Sequence, residues 1–72
     1  TRIIRAPAMR EARRRLGITQ LDLAQRAGCS EAQVSKIETG RMLPEEWLRE
    51  AIARELGIKT WEVGATFGGL AR

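Results

Sequence analysis

Apolar residues recur at helical spacing through most of this chain. Met9, Ala12 and Leu16 form one stripe at intervals of three and four, and Gly17 ends it. Pro7 suits the first turn of that helix, because it has no amide to leave unpaired. Ile18 falls at the junction to the next element. Leu23, Ala24 and Ala27 mark the inward face of a second helix over Gln20–Ala27, and Val34 and Ile37 mark that of a third. Leu48, Ala51, Ile52 and Leu56 line a fourth, which Gly57 closes. A short fifth helix follows, capped by Thr60 and bearing Trp61 and Val63. The pattern predicts an all-α domain of five short helices.

The polar positions between these stripes supply the punctuation. Thr19 is a good N-cap, since its hydroxyl can accept from a first-turn amide, and Asp22 three residues on completes a capping-box pair. Ser30 and Gln33 repeat the device. Gly28 can take the left-handed conformation that a helix C-terminus often needs, and Gly40 closes the third helix. Only Gly28, Cys29 and Ser30 separate the second helix from the third, so the two must cross steeply. Ala24 is small where the two helices would meet, and Cys29 sits where a small apolar group would plug the corner. Pro44, Glu45 and Glu46 announce the fourth helix, acids being favoured at the positive end of its dipole. Trp47 breaks the pattern. It is expected either over the preceding loop or at a subunit interface.

Seventy-two residues suffice for one domain, and a chain of this size buries only about 60% of its unfolded surface. The expected organisation is an N-terminal arm at 1–6, a folded domain at 7–63 and a C-terminal tail at 64–72. Ile3 and Ile4 lie between arginines in the arm, which reads equally as a basic extension or an edge strand. The glycines of the tail argue against regular structure, leaving Phe67 and Leu70 to pack back or fray. One cysteine cannot form an intramolecular disulfide, and the lack of histidine removes the common zinc arrangements. Cys29 reads as a buried thiol in a reducing cytoplasm. There is no membrane-spanning run, no secretory signal at Thr1 to Arg10, no phosphate-cradling glycine loop and no base near Ser30 or Cys29. No cofactor, no metal and no enzymatic activity are expected.

Net charge is +4 and the pI is about 10.6, which suits a polyanionic partner. The distribution is uneven. Six arginines against Glu11 put residues 1–15 at +5, leaving the rest of the chain at −1. The acidic segment Glu45 to Glu55 is therefore expected to face away from phosphates.

Taken together, Thr19 to Gly40 resembles the helix-turn-helix of Cro and the phage repressors, the XRE family. The resemblance rests on Gln20, Leu23-Ala24, Gly28, Ser30, Val34, Ile37-Glu38 and Gly40. It continues through Pro44, Ile52-Ala53, Leu56-Gly57 and Thr60, reaches back to Arg13 and Gly17, and covers roughly 8–63. It implies a compact five-helix, lambda-repressor-like domain whose second and third helices are the helix-turn-helix. The third would read the major groove of double-stranded DNA over residues 30–39.

That resemblance assigns roles. Ser30, Glu31, Ala32, Gln33, Ser35 and Lys36 are the expected base-reading set. Lys36 would donate to guanine, Ala32 would touch a thymine methyl and Glu31 would accept from cytosine N4. Glu31 has an equal alternative, that of complementing the helix dipole. Thr19, Gln20, Thr39 and Arg41 are expected on phosphates, with Arg10 and Arg14 as additions from the first helix. For Arg14 and Arg15 a merely solvated face is an even alternative. Gln20 is further expected to brace the third helix. Arg13 is expected to form a partly buried ion pair with Glu38 that orients it.

A single domain covers few bases, so a homodimer on a palindromic operator is expected, its recognition helices about 34 Å apart. Trp61, Phe67 and Leu70 are its expected interface, while Val63 leans towards the monomer's own core. The leading function is a repressor-like transcriptional regulator, cytoplasmic and nucleoid-associated. An antitoxin with a toxin partner is the alternative within DNA binding. A protein-interaction module that has lost DNA binding is the alternative outside it.

Overall fold

The five elements begin from local chemistry. The computed structural model describes residues 8–63; the arm, Pro7, Phe67, Leu70 and the rest of the tail lie outside them. Four α-helices occur in this span: α1 over Ala8–Leu16, α2 over Gln20–Ala27, α3 over Glu31–Glu38 and α4 over Glu46–Leu56. No strand occurs among the described residues.

The capping pairs form as their spacing predicts. Thr19 Oγ1 accepts from the Asp22 main-chain N–H at 3.0 Å, and Asp22 Oδ2 accepts from that of Thr19 at 3.0 Å. Ser30 and Gln33 make the same reciprocal pair, at 3.1 and 3.0 Å. Each pair satisfies amides that a helix start would otherwise leave open. Between them the chain turns at Gly28, whose φ of +86° lies in the left-handed region that a side chain would strain. Gly40, at φ +81°, closes α3. There the Arg41 N–H reaches Lys36 O at 2.8 Å and the Gly40 N–H reaches Ile37 O at 3.2 Å, the two bonds of a Schellman ending.

Packing then assembles the helices. Leu23, Ala24 and Ala27 of α2 meet Val34 and Ile37 of α3, all buried, and α4 packs across α2 and α1. Met9, Ala12, Leu48, Ala51, Ile52, Leu56 and Val63 complete one core. Each fully buried Leu, Ile or Val contributes roughly 1.5–3 kcal/mol of transfer free energy. Cys29 is partly buried against this core, as a corner plug would be.

Three expectations need correction. The fifth helix is a single 3-10 turn over Thr60–Glu62, because Val63 is already extended at φ −75° and ψ 121°. Thr60 does not cap it. It is the turn's first residue, and the Glu62 carboxylate accepts from the Lys59 N–H at 2.9 Å instead. Leu16 is not core either, being 51% exposed. The helix ends there, and the turn at Gly17 brings Ile18 into the apolar interior in its place. Ala53, absent from the expected apolar face of α4, is buried.

Candidate nucleic-acid interface

Alternation along α3 divides it into two faces. Val34, Ile37 and Glu38 are buried, whereas Glu31, Ala32 and Lys36 are exposed, with Gln33 and Ser35 half-buried beside them. Residues at i, i+1, i+4 and i+5 share a helix face, so Glu31, Ala32, Ser35 and Lys36 form one outward strip. Ala32 and Ser35 are short, which suits close approach to base edges, while Glu31 and Lys36 reach further.

Ser30 and Gln33 have less freedom than the other members of this set. The Ser30 hydroxyl accepts from the Gln33 main chain, and Gln33 Oε1 accepts from the Ser30 N–H, with the Ser30 hydroxyl a further donor at 3.3 Å. The pair shapes the tip of α3 first, and only the Gln33 amide N–H₂ and an exposed Ser30 edge are left for a ligand. Thr39 is likewise engaged, its Oγ1 donating to Ser35 O at 2.9 Å. Arg41, Arg14 and Thr19 are exposed.

The other end of α3 is built around a buried charge. The Glu38 side chain is wholly inaccessible. Arg13, with 14% of its side chain exposed, donates from Nε to Oε2 at 2.7 Å and from Nη2 to Oε1 at 3.2 Å. Its Nη1 also donates to Ile18 O at 3.1 Å, so the guanidinium ties α1, the α1–α2 junction and α3 together. Burying the carboxylate is tolerable only with such a partner, since desolvation alone would cost several kcal/mol.

Two further groups reach the same carboxylate. Gln20 Nε2 donates to Oε1 at 3.0 Å, and Arg10 Nε approaches Oε1 to 3.7 Å. Sequence reasoning placed both residues on phosphates and expected Gln20 also to brace α3, but did not foresee that the two converge on Glu38. Gln20 and Glu38 are 18 positions apart on different helices, so no local pattern connects them. The structure thus brings Arg10, Arg13, Gln20 and Glu38 together and leaves Arg14 and Arg41 apart from them.

Local electrostatics follow from these contacts. The Thr19 main-chain N–H, then its hydroxyl, holds the Asp22 carboxyl below the ordinary carboxylate value, with Arg26 a smaller contributor. Burial pushes the Cys29 thiol up, away from thiolate chemistry. Trp47 is exposed, and its indole Nε1 donates to Glu45 Oε1 at 2.6 Å. Among the described residues no cluster of acids and cysteine is arranged to hold a metal ion, and no helix is long and apolar enough to cross a membrane.

Comparison with known proteins bears on this geometry. The family profile described as a helix-turn-helix domain matches residues 8–63. A relative from Methanothermobacter thermautotrophicus (strain Delta H), named an uncharacterized HTH-type transcriptional regulator, is 43% identical over 49 residues. The aligned part is 68% of this chain and 71% of that relative. No solved structure matches the chain.

Proposed function

The chain belongs to the helix-turn-helix domain family, and on that premise we propose that it is a sequence-specific, DNA-binding regulator of transcription. The observation that carries this reading is the division of α3: a short polar strip faces outward, while the opposite face and the far end are locked into the core. Such a strip enters a major groove without displacing the scaffold behind it. The likeness to a named transcriptional regulator supports the same reading.

In this proposal Ala32, Ser35 and Lys36 meet base edges, with Ser30 and Gln33 contributing what their capping pair leaves free. Lys36 donates to guanine O6 or N7. Glu31 accepts from a cytosine amine, which satisfies an acid that would otherwise repel phosphates. Thr19, the main-chain amide of Gln20, Thr39, Arg41, Arg10 and Arg14 form the phosphate set, which fixes register without reading sequence. Arg13 orients α3 through Glu38. Two copies bind a palindromic operator and repress, joined through Trp61, Phe67 and Leu70; Trp61 is 68% exposed, which supports its place there.

Selection of bound sequences from random duplex DNA tests the reading. The expected product is a palindrome with half-sites about one helical turn, or about 34 Å, apart. Binding that enriches no sequence rules the proposal out and favours a protein-interaction module.

A further inference from the structure

One face of α4 is left uncovered by the described residues. Leu48, Ala51, Ile52 and Leu56 turn into the core, against α1, α2 and the Thr60–Glu62 turn. Helical spacing then puts Glu46, Trp47, Glu50 and Arg54 together on the opposite, exposed side, with half-buried Arg49 and Glu55 at its flanks. Trp47 is 53% exposed, and its indole is tethered by the bond to Glu45 Oε1. A tethered aromatic on a surface gives contact area at little entropic cost, which suits an interface. Glu50 and Arg54 stand one turn apart, yet no ion pair joins them to each other or to another described residue; the salt bridges of the described residues both end on Glu38.

Charge along this face is ordered. Acids hold its first half, at Glu45, Glu46 and Glu50, and cations follow at Arg54 and, past the end of the helix, Lys59. Such a face complements itself when a second copy lies across it antiparallel. A two-fold axis level with Ile52 sets Glu50 against Arg54 of the second copy, and Arg54 against its Glu50. The same register brings Trp47 over Gly57, which is exposed and has open space where a Cβ would point. It also carries Glu45 and Glu46 towards Lys59. A parallel pairing would instead oppose Glu50 to Glu50 and Arg54 to Arg54, so charge selects the antiparallel one. We propose that the outer face of α4 is a self-recognition surface, on which a second copy of this chain docks antiparallel through Trp47 and two reciprocal Glu50–Arg54 pairs. This deepens the homodimer of the proposed function, and rests on that part of the reading. The surface is continuous with Trp61, which is borne by the turn that packs on α4.

Sedimentation of the full chain without DNA tests this by charge reversal. The wild-type protein is expected to dimerise with a Kd of about 10 μM. Glu50→Arg and Arg54→Glu each oppose like charges at both contacts, and each is expected to weaken association about a hundredfold. Mixing the two variants restores opposite charge at every contact, so an equimolar mixture is expected to form heterodimers near wild-type strength. Both residues are exposed, and thermal unfolding of the variants is expected to match the wild type. Should a reversed variant unfold, Glu50→Gln carries the test, with an expected loss of about tenfold. A wild-type protein still monomeric at about 100 μM overturns the proposal and leaves this face to a different protein. Dimers as strong in both single variants, or a mixture that stays monomeric, overturn it as well. Selection from random DNA judges the regulator reading separately. An enriched palindrome together with dimers indifferent to these variants overturns the α4 contact alone, whereas no enriched site beside an intact rescue removes regulation and keeps the contact.

Discussion

The two ends of α3 are held by opposite means. At its start, Ser30 and Gln33 bond to each other on the surface, within one turn of chain and in reach of water. At its end, Glu38 is sealed from solvent and gathers groups from α1 and α2. The contrast suits a helix that must offer one end to a ligand. On the proposed reading, a tip fixed by its neighbours alone can be presented without obstruction, while the long-range bonds that aim it are kept at the far end, out of the way of DNA.

Breaking the buried end should have the largest effect. Arg13→Ala leaves Glu38 without its main counter-charge, and chemical denaturation is expected to show a loss of about 3–5 kcal/mol. A loss below about 1 kcal/mol would mean that Arg10 substitutes for it, and would blunt the contrast between the two ends. Next comes the exposed strip. Lys36→Ala is expected to cost about 1–3 kcal/mol in binding and to relax preference at one base pair of each half-site, read by repeating the selection. Equal weakening on every sequence would move Lys36 to the phosphate set.

The exposed cap should matter less to stability than the buried pair. Ser30→Ala removes one side of a local box, and about 1 kcal/mol of stability is the expected loss in the same denaturation experiment. A cost matching that of Arg13→Ala would show that the tip is not locally held after all. The smallest change is expected at Arg41→Ala, outside both ends. Its binding should weaken on all duplexes, and the dependence of log affinity on log salt should flatten by about one unit. An unaltered slope takes Arg41 off the backbone.

How much of this was legible beforehand depends on distance along the chain. Both capping boxes and the glycine endings were readable, because each links residues three to five apart whose chemistry has few other uses. The inward faces of α2, α3 and most of α4 were readable from periodicity. Leu16 was misread because a stripe says nothing of where the chain will turn, and the turn at Gly17 gave its place to Ile18. The last element was misjudged because Thr60 has the composition of a cap, whereas Glu62 made the bond.

The candidate site divides along the same line. Its outward strip follows from spacing alone, since a helix with Val34 and Ile37 inside must turn Glu31, Ala32 and Lys36 out. The convergence of Gln20 and Arg10 on Glu38 was not legible, because nothing in their neighbourhoods points to an acid that folding brings beside them. Sequence by itself therefore determined the helices, their endings and which face of α3 meets solvent, all matters of short-range geometry and apolar periodicity. The resemblance already paired Arg13 with Glu38; only the tertiary structure decided that Gln20 and Arg10 join them, because a buried charge selects its partners from whatever packing delivers within a few ångströms, however far apart they lie along the chain.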